Sequence, residues 1–282
     1  MESISLSNEV KIPKIMLGSF QMNKESDMEE VVEEALTHGV YGFDTSPSYK
    51  TEEMLARAIH KSLAAHSELK RSDLFVDSKI DSWQMMEGKG DIRKYVEEML
   101  EKTGLEYLDL LLIHWPEPNF YTAAYKCMEK LYNEGIVKSI GVCNVRQRHL
   151  ERLVKDGATI TPHVVQNEIH PFNVEEELVN YCKERGIVVQ AYSPLCRMIS
   201  EIANDATLNI LARKYNVSVA QLMLRFHTLR GLVPIVKTSS KKRVLENTDI
   251  FNFTIEDDDM TTISLLDRHF KMFLESRCCP GY

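Results

Sequence analysis

No stretch of the sequence approaches the ~18 consecutive apolar residues that a membrane-spanning helix needs. The opening Met1-Glu2-Ser3-Ile4-Ser5-Leu6 is mixed and short, without the basic-then-apolar order of a secretory leader. The expectation is a cytoplasmic monomer with no membrane partner. Positive charge is in deficit, with 34 Lys and Arg against 42 Asp and Glu and a formal charge of −8. That balance argues against the broad basic face needed to neutralise nucleic-acid phosphates and leaves room for local basic sites. The six cysteines, at 127, 143, 182, 196, 278 and 279, include no Cys-x-x-Cys pair and no regular framework, so neither disulfides nor a metal site is expected. Cys279-Pro280-Gly281-Tyr282 puts a cysteine at the prenylation position, but Pro and Gly are poor substitutes for the aliphatic pair. Linkers and long low-complexity segments are missing too. So is a Gly-x-Gly-x-x-Gly turn: the nearest match, Gly88-Lys89-Gly90-Asp91-Ile92-Arg93, lacks the third glycine, which tells against an open dinucleotide-binding sheet.

What is there is alternation. Strand-like apolar runs occur at Ile15 to Leu17, Tyr41 to Asp44, Leu74 to Lys79, Leu108 to His114, Ile140 to Cys143, Val164 to Glu168, Ile187 to Ala191 and Val233 to Val236. Amphipathic helices lie between them, with readable ends: Ser26 and Glu29 as a capping box with Gly39 as the stop, Asn173 to Gly186, and Ser218 with Gln221 through to Gly231. Eight strands separated by helices, several apolar on both faces, predict a parallel sheet closed into a (β/α)8 barrel, with residues 1–282 as one domain. Residues 1–13 read as a small β-hairpin, Ile4 and Leu6 facing Val10 and Ile12, that covers the barrel and carries no chemistry.

Active sites of such barrels are built at the strand C-termini. Asp44, Lys79, His114, Asn144, Gln166, Asn167, Ser193 and Lys237 each close or follow a strand-like run. Tyr49 lies five residues after Asp44, where the loop can carry its phenol back over the strand end. Asp, Tyr, Lys and His at one rim form a proton-transfer constellation. Tyrosine ionises near pH 10, so an adjacent ammonium such as Lys79 would be needed to stabilise its anion, with Asp44 keeping that ammonium charged and aimed. His114 would then donate or accept a hydrogen bond at the same oxygen. The plainer reading is a structural strand-end Asp–Lys pair and a satisfied core histidine. A second cluster, Lys237-Thr238-Ser239-Ser240-Lys241-Lys242-Arg243 with Glu246-Asn247 beyond, follows the last strand and opens a helix. Hydroxyls, cations and backbone N–H groups converge there as an anion site; the alternative is a solvated basic helix start. Tyr192 offers a ring for stacking or for core packing. Asn144 and Gln166 can hold a carboxamide or line a polar strand end.

Phe43-Asp44-Thr45 with Tyr49 and Glu52, Ser78-Lys79, Leu112-Ile113-His114-Trp115-Pro116, Gly141-Val142-Cys143-Asn144, Val165-Gln166-Asn167-Glu168-Ile169-His170-Pro171, Ala191-Tyr192-Ser193-Pro194-Leu195 and Lys237 to Asn247 together resemble the aldo-keto reductases, in matching order from about Ile12 to Asp267. The resemblance implies an NADPH-dependent reductase of small-molecule aldehydes, ketones or α-dicarbonyls. It implies Tyr49 as general acid, Lys79 and Asp44 as its support, and His114 as orienting group, with Tyr49, His114 and Trp115 on the substrate side. Asp44, Cys143, Asn144 and Gln166 would border the nicotinamide, and Tyr192 would stack on it. Ser193 and Leu195 would contact the pyrophosphate, and Gly18, Ser19 and Phe20 match the rim segment after the first strand. Lys237, Thr238, Ser239 and Arg243 would grip the 2′-phosphate, with Glu246 and Asn247 near adenine. The chain departs from the pattern at Cys143, usually serine, and at Val145, usually phenylalanine. Asp81-Ser82-Trp83 follows Lys79-Ile80, whereas many members put tryptophan two residues after the lysine. The short segment Pro116 to Thr122 would leave one wall open, and Phe270 to Tyr282 would fold over the mouth. Two alternatives remain: a cofactor-bound regulatory or binding module with little turnover, and a phosphosugar isomerase, which would not need Tyr49 with Lys79.

Overall fold

The computed structural model describes residues 2–279 and 281–282; Met1 and Pro280, the latter inside the C-terminal cysteine motif, lie outside the described residues. The chain opens with β1 (Ser3–Ser5) and β2 (Lys11–Pro13), antiparallel with Ile4 opposite Ile12. Leu6 N donates to Val10 O (2.8 Å), and Glu9 takes a left-handed φ of 70° in the turn. Leu6 and Ile12 are buried in one cluster with Met16, Phe75, Leu110, Val164 and Val233. Each of those five opens a barrel strand, so the hairpin stops the N-terminal end of the barrel, as the sequence led one to expect.

The barrel strands are β3 (Met16–Gly18), β4 (Gly42–Asp44), β5 (Phe75–Ile80), β6 (Leu110–Ile113), β7 (Ile140–Cys143), β8 (Val164–Glu168), β9 (Val188–Tyr192) and β10 (Val233–Val236). They pair in parallel and in chain order, and β10 closes on β3. This is the (β/α)8 barrel that the alternation predicts. The run expected over Leu108 to His114 is the longest overestimate: Leu108 makes only an isolated bridge with Val137, and the strand proper begins at Leu110. Side-chain alternation sorts the strands. Val76, Ile80, Leu111 and Ile113 pack outward in the cluster shared with the helices, while Phe75, Leu110 and Leu112 pack inward. Period two therefore puts Asp77 and Lys79 on the same inward file as Phe75, climbing from the plug toward the mouth. Among the described residues no helix is long and apolar enough to cross a membrane.

The helix ends divide. Ser218 and Gln221 form the expected box, Gln221 N donating to Ser218 Oγ (3.2 Å) and Ser218 N to Gln221 Oε1 (3.0 Å), and Gly231 follows the helix Val219–Leu229 at φ 79°. Ser26 caps nothing. The helix starts one residue earlier, at Glu25–Thr37, with Lys24 extended at its N-cap position, and Glu25 is tied to Arg57 at 2.7 Å. Met22, three residues before the helix, is buried in the core cluster that the helix covers. Gly39, at φ 76°, is the expected stop. Asn173 does not start its helix either: its amide donates to Glu168 O (2.6 Å), and the helix begins at Glu176–Lys183 behind a left-handed Glu175. Holding the turn after β8 is the competing use of that side chain. Ser218→Ala is expected to cost about 1 kcal/mol in urea unfolding, Ser26→Ala only a few tenths; equal losses would contradict this account of the caps.

Candidate active site

β4 ends at Asp44, and the single 3₁₀ turn Pro47–Tyr49, closed by left-handed Lys50, brings the phenol back over the strand end. Lys79, fully buried on β5, places Nζ 2.5 Å from Asp44 Oδ2, 2.9 Å from Thr45 O and 5.1 Å from the Tyr49 ring centroid. His114 follows β6 immediately, its ring edge-on to Tyr49 at 5.7 Å. The four side chains expected at one rim are brought together there.

Burial works against the Lys79 ammonium, but the ion pair with Asp44 outweighs it and holds the Lys79 pKa well above its ordinary value. For Tyr49 burial is the largest influence and pushes the phenol well above its usual range; Lys79 pulls it down without offsetting this, and Asp44 adds to the rise. Lys79 eases ionisation of the phenol, and burial outweighs it. In this arrangement the phenol is a firmly protonated acid beside a firmly charged ammonium.

Three further carboxyl groups surround the constellation. Asp77 lies one inward position below Lys79, and burial, with Asp44 next, pushes its carboxyl well up. Gln190 Nε2 donates to Asp77 Oδ2 (2.9 Å), and Gln166 Nε2 donates to both Asp44 Oδ2 (3.0 Å) and Gln190 Oε1 (3.0 Å). Asp77 and Asp44 thus share a buried amide network through Gln190 and Gln166. Sequence reasoning passed over Asp77, although its spacing of two from Lys79 on a strand was the signal. Glu52 opens the helix Glu52–Ala65, accepts from Ser78 Oγ at 2.5 Å, and is pushed by burial up to about 7. Asp81 Oδ1 lies 2.5 Å from His114 Nδ1. Asp81 was noticed in the sequence only as a departure from a pattern.

On the other side of the mouth, Asn144 follows β7 at a left-handed φ of 56°, donating from Nδ2 to His114 O (2.8 Å) and accepting from Tyr192 OH at Oδ1 (2.7 Å). Cys143 is buried beside it. Gly18 ends β3, and the Phe20 ring lies 5.0 Å from Tyr49, tilted 57° to it. Ser19 is turned inward instead: its hydroxyl bonds the Thr45 and Thr51 hydroxyls at 2.9 and 2.8 Å. After β9, Ser193 and the run Cys196 to Met198 adopt left-handed backbone, with half-buried Leu195 between them, and Arg197 reaches across to Gln21 Oε1 at 2.5 Å. After β10, Lys237 and Ser239 are exposed and Thr238 is buried, its Oγ1 accepting from Ser240 N (3.1 Å). Exposed Arg243, Glu246 and buried Asn247 lie along the helix Lys241–Thr248. The C-terminal segment does fold over the mouth. Met272 N and Phe273 N donate to the two Glu168 carboxylate oxygens (2.7 and 3.0 Å), and the Phe273 ring stands 5.8 Å from Tyr192. Trp115 faces Tyr282 at 6.3 Å.

Comparison with known proteins agrees with this fold. The model of the Aldo/keto reductase family matches residues 14–268. Glyoxal reductase of Bacillus subtilis is 38% identical over 267 residues, 95% of this chain and 93% of its own. Methylglyoxal reductase DkgA of Escherichia coli K12 is 32% identical, covering 94% and 93%. Among solved structures, Bombyx mori aldo-keto reductase in complex with NADP superposes with a TM-score of 0.90 at 30% identity, over 100% of this chain and 98% of the other.

Glu52 yields a pH test. Its carboxyl holds a proton to about 7 in the fold, against an ordinary 4.5. Between those values the unfolded chain binds fewer protons than the folded one, so the Glu52 contribution is complete below about pH 4.5 and is lost as pH rises toward 7. The loss is roughly 3 kcal/mol. Glu52→Gln should raise the Tm by several degrees at pH 8 and leave it nearly unchanged at pH 4.5, as read by calorimetry.

Proposed function

The chain belongs to the aldo/keto reductase family, and on that premise we propose that it reduces small aldehydes and ketones, α-dicarbonyls among them, with NADPH and with Tyr49 as general acid. The observation that carries this reading is a protonated Tyr49 beside the buried Lys79–Asp44 pair at the barrel mouth. The α-dicarbonyl class is favoured because two relatives bear the names glyoxal reductase and methylglyoxal reductase.

The donor set fits the cofactor. Among the described residues neither Lys237 nor Arg243 is engaged in an ion pair, although both are exposed where a strand end meets a helix start. Two unspent cations flanked by the hydroxyls of Thr238 and Ser239 suit the 2′-phosphate of NADPH, with Glu246 and Asn247 toward its adenine. Gln166 uses only its Nε2 internally, which leaves Oε1 to accept from a carboxamide N–H. Asn144 and Cys143 border the same place, and Tyr192 supplies the flat face. Ser193, Leu195, Gly18 and Phe20 line the path between. Ser19 belongs to the support of Thr45 and Thr51.

When bound, NADPH supplies the hydride for the carbonyl carbon. Tyr49 gives its proton to the oxygen that gains charge. The ammonium of Lys79 then faces the phenolate that remains and stabilises it in a nearly dry setting. Asp44 keeps Lys79 charged and fixes its direction. His114 and Trp115 orient the substrate from the opposite side. An intact proton-transfer group of this kind has no use in a module that only binds.

Tyr49→Phe should lower kcat by roughly 10²–10⁴ while NADPH still quenches protein fluorescence at the same concentration; joint loss would mark Tyr49 as structural. Arg243→Ala should weaken NADPH by roughly 10–100-fold, the scale of a hydrogen bond to a charged group, and NADH hardly at all. Equal weakening of both would remove Arg243 from the 2′-phosphate.

A further inference from the structure

Four buried polar side chains cross the barrel interior just below the mouth, and two of them, Asp77 and Gln190, take no part in the reaction outlined above. Asp44 stands level with Asp77 on β4 and β5, and Gln166 level with Gln190 on β8 and β9. In the closed ring β8 lies four strands from β4, and β9 four strands from β5, so the two pairs face each other from opposite walls. The contacts between them run in one sense. Gln190 Nε2 spends its hydrogens on Asp77 Oδ2 (2.9 Å) and Met16 Sδ (3.2 Å). Gln190 Oε1 is thereby turned to Gln166, whose Nε2 donates to it (3.0 Å) and to Asp44 Oδ2 (3.0 Å). A side-chain amide has one donating and one accepting end, and Asp77 Oδ2 accepts whether or not the carboxyl holds a proton on its other oxygen. Each contact therefore sets the direction of the next, from Asp77 through Gln190 to Gln166.

Resting on the cofactor reading, we propose that Asp77 and Gln190 are positioning residues that hold the Gln166 amide with Oε1 toward the nicotinamide, so that the site selects a ring substituent able to donate an N–H. Asp44 Oδ2 takes one Gln166 hydrogen but already receives the Lys79 ammonium at 2.5 Å. An amide held at a single hydrogen is free to pivot about it. The second hydrogen, given to Gln190 Oε1, stops the pivot. Gln190 presents that oxygen because Asp77 claims its NH₂ group; the reverse sense would set two NH₂ groups against each other. Period two on the strands puts Asp77 one inward position beneath Lys79, and Gln190 one beneath Tyr192. Both are fully buried there and act through the amide above them. A polar group in the interior is costly unless its hydrogen bonds are made, and this one spends them on aiming Gln166.

Two measurements test this, and neither needs turnover. In the first, NADP+ and its 3-acetylpyridine analogue, in which a methyl group replaces the carboxamide NH₂, are titrated by quenching of protein fluorescence. The wild type should bind NADP+ about tenfold more tightly than the analogue, the scale of one hydrogen bond. Asp77→Val should bring that ratio close to one, and Asp77→Asn, which keeps a carbonyl oxygen for Gln190, should restore it. Gln190→Met cuts the same path at its middle and carries the test if Asp77→Val does not fold. A weakening that falls equally on both dinucleotides would make Asp77 merely structural and would overturn the proposal, as would a wild type without preference. The second follows the side-chain NH₂ protons of Gln166 in ¹⁵N-glutamine-labelled protein without cofactor, assigned by their loss in Gln166→Leu. Their exchange with D₂O should be slow in the wild type and in Asp77→Asn, and about tenfold faster in Asp77→Val or Gln190→Met. Unchanged exchange would overturn the proposal. If neither dinucleotide binds the wild type, the cofactor reading fails, and the exchange measurement still decides whether Asp77 holds Gln166.

Discussion

The buried contact between Lys79 and Asp44 is the constraint around which the mouth of this barrel is arranged. Removing two charges from water costs several kcal/mol for each, and the fold meets that cost with close geometry. The ammonium also donates to Thr45 O, and the carboxylate also accepts from Gln166. Breaking such a pair leaves an uncompensated interior charge, a loss on the order of 3–5 kcal/mol. The neighbours fall into place around it. Burial first, and then the neighbouring Asp44, push the Asp77 carboxyl well above its ordinary pKa. Tyr49 keeps its proton because desolvation outweighs the attraction of Lys79. Around one ion pair, burial thus raises two neighbouring acids, Asp77 and Tyr49, toward their neutral forms.

Much of this was legible from residue order. Asp44, Lys79 and His114 each end a strand-like run, and strands in a closed parallel barrel all end at the same rim, so a one-dimensional pattern carried three-dimensional content. The same logic extends to Asp77, since period two on β5 aligns it with Lys79. Ser218 with Gln221 was readable because the cap interacts only with its own first turn. Ser26 and Asn173 misled for a common reason. Both belong to residue types that serve several local roles: the Ser26 hydroxyl turns to the neighbouring Asp27 carboxylate, and the Asn173 amide to the Glu168 carbonyl.

Asp81 marks where local pattern reasoning stops. Its partner is 33 residues away, and the pairing depends on the register between two strands, which composition and spacing do not express. A residue that reads as a departure from a family pattern becomes, in the folded chain, a fixed partner for the histidine at the mouth. Ser19 is the converse case. Its position at the rim suggested an outward role, whereas its hydroxyl belongs to a small buried triad with Thr45 and Thr51.

The β1–β2 hairpin has a consequence for the far end of the barrel. With Leu6 and Ile12 seated against the first residues of the strands, it keeps water from the apolar lower layer of the barrel, so the same strands can carry Asp44 and Lys79 at their upper ends on a dry and rigid footing.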